Sequence, residues 1–163
     1  VENQGNEEVS LSLMLSRTPS ANESVKPIAN NVEIDVQYAD LKGNAITIDK
    51  LQQGEEFLAK IRVKKTNDSS LSMALTYAIP SGWEIWNERL TGGEESQGAT
   101  YTDIRDTSIS WYFAIEQGQT KEFVVRLRGA YGGQFVLPPT ICEDMYNPSC
   151  RANTANGLTI VVR

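Results

Sequence analysis

Histidine is missing from all 163 residues. Its absence removes the commonest general base, the commonest metal ligand and the ordinary near-neutral switch. No Ser–His or Cys–His nucleophile pair can be assembled within the chain. Two cysteines are too few for a four-ligand zinc site without histidine or several carboxylates. Basic residues are outnumbered: 15 Lys and Arg against 21 Asp and Glu leave a net charge of −6. That sign is wrong for phosphate neutralisation along nucleic acid, and for holding an anionic membrane by charge alone. No apolar run approaches the roughly 20 residues of a membrane-spanning helix, so no direct membrane insertion is expected. The opening "VENQGNEEVS" has neither the basic start nor the apolar core of a signal peptide. Val1 is not an initiator methionine, so the chain reads as a processed or excised part of something longer.

What is present is ordinary globular composition, 40% hydrophobic and 22% charged, at a length that suits one domain. Apolar residues recur with period two, the strand signal. The runs are Val9–Leu11–Leu13–Leu15, Val32–Ile34–Val36–Tyr38, Phe57–Ala59–Ile61–Val63 and Leu71–Met73–Leu75–Tyr77–Ile79. Later come Ile109–Trp111–Phe113–Ile115, Phe123–Val125–Leu127 and Leu158–Ile160–Val162. Turn chemistry such as "KGN", "PSG" and "EQGQ" bounds them, and no stretch carries a helical stripe. The pattern predicts an all-β, antiparallel two-sheet sandwich of immunoglobulin or fibronectin-III type, with about seven to nine strands. Residues 1–31 form a leading segment with one strand at 9–15 and a crossover loop, belonging to this domain or ending the preceding one. Residues 32–163 form the sandwich. A second polar loop is expected at 90–99.

Candidate chemistry is thin. Asp103 and Arg105 share a face of an extended segment and are expected to form a structural ion pair, not an acid–base couple. No calcium loop or phosphate cradle matches, so neither a metal nor a cofactor is expected. Trp83, Trp86 and Trp111 offer indole faces for sugar stacking, but core packing is the stronger reading. "NES" at Asn22 and "NDS" at Asn67 fit the N-glycosylation pattern, which is too common to weigh.

The segment "ICEDMYNPSC" stands apart because it holds both cysteines. Cys142 and Cys150 can form a disulfide if "MYNP" turns back on itself, which would add about 2–3 kcal/mol and imply an oxidising compartment. Two free core cysteines are the alternative. Pro148 would stiffen the loop around Tyr146.

Four segments occur in order: "IPSGWEIWNERL", "YTDIRDTSISWYF", "GQTKEFVVRLRGAYGGQFVLPP" and "CEDMYNPSCRA". On these the chain resembles the C-terminal macroglobulin-like domain of bacterial α2-macroglobulins over roughly residues 32 to 163. "LSLMLS" fits the strand that precedes that domain. The resemblance implies a macroglobulin-like sandwich within a large periplasmic or cell-surface protease trap, carried by a lipid anchor on the parent. It implies no catalysis. The partners it implies are neighbouring domains of the parent, notably a helical thioester domain, with target proteases engaged indirectly. Tyr146 maps to the family's thioester-shielding tyrosine, and Met145, Asn147 and Pro148 share its loop. Asp144 replaces the small residue of most members, a departure expected to alter only local packing. Two other functions compete: a stalk or adhesin repeat, and a carbohydrate-binding module built on Trp83 and Trp86.

Overall fold

The computed structural model describes residues 2, 4–16, 23–66, 71–86 and 98–162. Among them there are thirteen strands and no helix. The strand-forming logic is clearest in β4 (Glu56–Lys65), where Phe57, Ala59, Ile61 and Val63 point inward and Arg62 and Lys64 face water. β9 (Thr120–Gly129) lies antiparallel to it, with Ile61 opposite Phe123, Ala59 opposite Val125 and Phe57 opposite Leu127. β2 (Val32–Ala39) and β6 (Trp83–Ile85) complete a four-stranded sheet in the order β2-β4-β9-β6.

A six-stranded sheet covers its apolar face. It is built on β5 (Leu71–Ala78) and β8 (Ser108–Ile115), which place Met73 opposite Phe113, Leu75 opposite Trp111 and Tyr77 opposite Ile109. β7 (Tyr101–Arg105) flanks β8. On the other side come β11 (Ile141–Asp144), β12 (Arg151–Asn153) and β1 (Ile28–Asn30), giving the order β1-β12-β11-β5-β8-β7. Phe123 joins the two layers, its ring centroid 5.0 Å from Trp111 and 4.9 Å from Phe113. Full burial of each such side chain stabilises the fold by about 1.5–3 kcal/mol, so this inter-sheet layer is the main source of stability.

A third, three-stranded sheet lies against one end of the four-stranded one: β10 (Gly133–Leu137), β13 (Gly157–Val162) and β3 (Leu51–Gln52). Gly54 N–H donates to the Gly129 carbonyl and Gly129 N–H to the Glu55 carbonyl, locking β3 to the end of β9. Beside it, Tyr38, Phe57 and Trp83 meet edge to face with centroids 4.9–6.2 Å apart.

The fold is the antiparallel sandwich that the alternation predicts, with three departures. The extra strands are mostly two to five residues long, too short to display alternation; β3 and β10 build the third sheet with β13, and the others extend the two main sheets. β13 also packs the opposite face: Thr159 and Val161 are buried, while Leu158 and Ile160 are exposed. Thr159 tolerates burial because its hydroxyl donates to the Ile48 carbonyl. Finally, Val9–Leu15 forms no strand, and its apolar side chains are exposed. Alternation gives a segment the character of a strand, but only a partner's backbone groups make it one. Ahead of residue 32, β1 joins the six-stranded sheet, pairing Ile28 to Asn153. Most of the 90–99 loop, much of the crossover loop, and Asn22 and Asn67 lie outside the described residues.

Candidate functional site

β11 and β12 form a hairpin inside the six-stranded sheet, with Cys142 opposite Ala152 and Glu143 opposite Arg151. The next pair continues the ladder, Asp144 N–H donating to the Cys150 carbonyl at 2.9 Å. Met145 N–H then reaches the Ser72 carbonyl of β5 at 2.9 Å. Residues 145–149 make the connection between the two strands.

Side-chain oxygens hold this turn. Asp144 Oδ1 accepts the Tyr146 N–H at 2.7 Å and the Asn147 N–H at 2.8 Å. Asn147 Oδ1 accepts the Ser149 N–H at 3.1 Å and its hydroxyl at 2.7 Å. Cys150 N–H donates to the Asn147 carbonyl at 3.0 Å. Two consecutive Asx turns therefore wind the loop, each using a short side chain in place of a backbone acceptor. Asp144 itself is only 7% exposed, with Cys142 and Cys150 buried beside it. Lys65, pointing inward from the end of β4, is fully buried too, and its Nζ has no hydrogen-bond partner among the described residues.

On this fixed base Tyr146 is 82% exposed and Met145 is half-exposed. A large aromatic side chain held that far into solvent by a hydrogen-bonded turn on a buried base has the geometry of a peg. Asn147 and Pro148 lie in the same loop, Asn147 serving as an internal brace.

The cysteines are two free thiols, not a disulfide. The register explains this. Cys142 faces Ala152, and Cys150 faces Asp144, so the cysteines are diagonal neighbours on the inward side. Diagonal positions stand about 7–8 Å apart, whereas a disulfide needs Cβ atoms about 3.5–4.5 Å apart. Burial pushes the Cys142 thiol well up, with lesser contributions from Cys150 and Glu143. Burial and the Asp144 carboxylate push Cys150 up, while Lys65 pulls it partly back. Both thiols are consequently protonated and inert at neutral pH. Asp144 also does more than alter local packing, because it holds the loop that carries Tyr146. The signal was present in "EDMYN", since an Asp two residues before the turn tip is the Asx-turn pattern.

Other candidate residues lie elsewhere. Arg105 Nε donates to Asp103 Oδ2 at 2.8 Å on the exposed strand β7. Trp83 and Trp111 are core side chains, and half-exposed Trp86 has the Arg126 guanidinium 4.9 Å from its ring centroid. The three indoles therefore form no shared platform, which removes the structural basis for a carbohydrate-binding module. A groove between β1, β12 and β2 is lined by Ile34, Val36 and Tyr38 with Glu33, Arg62 and Lys64 at its rim. Those charges are already engaged, Arg62 with Glu122 at 2.6 Å and Lys64 with Glu33 at 3.9 Å.

Residues 32–149 match the family described as the bacterial alpha-2-macroglobulin MG10 domain. An alpha-2-macroglobulin homolog from Yersinia pestis is 25% identical over 160 residues, covering 83% of this chain and 8% of that protein. Salmonella alpha-2-macroglobulin reacted with methylamine superposes with a TM-score of 0.77 at 25% identity, over 87% of this chain and 10% of that one. Native alpha-2-macroglobulin from Escherichia coli, spanning domain MG7 to the C-terminus, gives a TM-score of 0.76 at 24% identity over 84% of this chain and 24% of that one. The chain thus spans less than a tenth of the length of the curated relatives it matches.

Proposed function

The chain belongs to the bacterial alpha-2-macroglobulin MG10 domain family, and from that membership we propose that it is a non-catalytic domain of an extracytoplasmic protease trap. The parent protein works in the periplasm or at the cell surface through a lipid anchor and inhibits proteases by entrapment. This domain packs against its neighbours in the parent, and the 145–148 loop docks Tyr146 over a thioester in a helical domain. Within the leading segment 1–31, residues 23–30 belong to this domain, and the residues ahead of them belong to the end of the preceding one.

The observation that carries this reading is the contrast within one hairpin: a buried, doubly braced base under a tyrosine that is 82% exposed. An acyl thioester survives only while water and amines are kept from its carbonyl carbon, and a flat apolar plate excludes both. Tyrosine supplies that plate with two side-chain torsions, and the two Asx turns fix its backbone in advance, so docking costs little further entropy.

The test uses the full-length parent, wild type and Tyr146→Ala, exposed to methylamine and followed by intact mass. A methylamine adduct that forms faster in the variant is the expected result. Equal rates would sink the shielding role. No adduct in either protein, even after denaturation, would sink the thioester itself.

A further inference from the structure

The two outer faces of the sandwich have opposite chemistry. On the four-stranded sheet, charges alternate across the strands. Arg62 bonds Glu122, Lys64 faces Glu33, and Arg126 bonds Glu56. On the six-stranded sheet, the outward residues of the adjacent strands β5 and β8 carry no charge. They are Ser72, Ala74, Thr76 and Ala78 on β5, and Ser108, Ser110, Tyr112 and Ala114 on β8.

Apolar shoulders border this field. Tyr101 on β7 lies opposite Tyr112, ring centroids 5.8 Å apart, and is 61% exposed. On the other side Ile141 stands opposite Thr76, and Met145 runs beside Ser72. Both are exposed, and Met145 leads straight into Tyr146. The remaining charges lie on the flanking strands beside opposite charges: Asp103, across from Ser110, is bonded to Arg105, and Glu143 stands between Ala74 and Arg151.

We infer that this face, from Tyr101 across β8 and β5 to the Met145–Tyr146 loop, is a docking surface for an uncharged, apolar surface of an adjoining domain of the parent chain. The inference rests on the reading of this chain as one domain of a longer protein, and it enlarges the proposed contact from a single tyrosine to a sheet face.

Three physical terms favour this face over the other. Ser, Ala and Thr lose little rotamer freedom when covered, whereas Lys and Arg lose about 1.5–2 kcal/mol each. No isolated charge must be stripped of water at its centre. The hydroxyls of Thr76 and Ser110 already bond each other at 3.1 Å, so covering the pair leaves one O–H to be satisfied instead of two.

Size identifies the occupant. Four strands at about 4.8 Å spacing and six residues along β5 make a patch of about 14 by 20 Å. A free dimer needs about 800 Å² from each partner, well beyond this area. A domain tethered in the same chain needs far less, because tethering raises its effective concentration. The relatives supply the tether, since this chain matches only 8–10% of their length.

The test is thiol labelling of the folded full-length parent, read by peptide mass. The face reporters are Ala74→Cys and Ser110→Cys, Lys60→Cys reports the charged sheet, and Tyr146→Cys reports the loop. Cys142 and Cys150 serve as internal controls for unfolding. The face reporters are expected to react roughly 100-fold more slowly than Lys60→Cys, at a ratio independent of protein concentration. Rates within a few-fold of Lys60→Cys would overturn the inference. Protection that vanishes on dilution would also overturn it, in favour of a second copy. A protected face with a reactive Tyr146→Cys would uphold the face and refute the peg; the converse would uphold the peg alone.

Discussion

Gly82 and Phe135 offer a test of the packing in which the sign alone decides. The Phe135 ring lies against Gly82 so closely that an added Cβ would meet its Cε2, Cδ2 and Cζ atoms at 2.1, 2.4 and 2.5 Å. Gly133 crowds the ring as well, its own Cβ position being 3.0 Å from Cζ. Escape therefore requires the ring to swing out of its place against the core. Losing that burial costs about 1.5–3 kcal/mol. Opposing it, alanine restricts the unfolded chain and returns about 0.4–1 kcal/mol. Gly82→Ala is thus expected to destabilise by about 0.5–2.5 kcal/mol. In a Phe135→Ala background the obstacle is gone, and the same substitution should be neutral or stabilise by up to about 1 kcal/mol. Urea unfolding of the four proteins, followed by far-ultraviolet circular dichroism, yields the coupling directly, about 1.5–3 kcal/mol for residues in contact. If Gly82→Ala stabilises the otherwise unchanged protein, the ring does not rest on Gly82 and the placement of the third sheet is wrong.

Three further outcomes are expected. Ellman titration without reductant should find no fast-reacting thiol in the native chain and two after denaturation, whereas a disulfide would leave none in either state. Because folding raises both thiol pKa values, the stability they confer is present below the ordinary thiol value of about 8.5 and falls as pH rises past it, by at most about 1.4 kcal/mol per pH unit per thiol. A stability profile that stays flat between pH 8 and 10 would contradict their burial. Asp144→Ala removes the acceptor for two loop N–H groups and should cost about 1–3 kcal/mol, less whatever water restores. Hydrogen exchange should accelerate more at Tyr146 and Asn147 than at Phe123, whose core amide reports only the global loss of stability; loop exchange that changes no more than that of Phe123 would show that Asp144 does not pin the turn.

Local pattern alone determined the all-β class, the inward residues of β4, β5, β8 and β9, and the interest of the Cys142–Cys150 segment. Period two is a property of each strand by itself, and a packed face needs only that alternation to be written in the sequence. The order of the family motifs likewise lies in the sequence. Which segments pair was decided in three dimensions. Val9–Leu15 alternates much as β2 does yet forms no strand, because none of the described strands pairs with it. β13 inverted its apparent phase, since Thr159 found an acceptor at Ile48 and Val161 was claimed by the core. Register, a relation between strands, separated the cysteines: sequence distance allowed a bond, but a diagonal position across the hairpin does not. The same register placed the uncharged residues of β5 and β8 side by side, so that a face emerged from two strands whose separate sequences carry no sign of it.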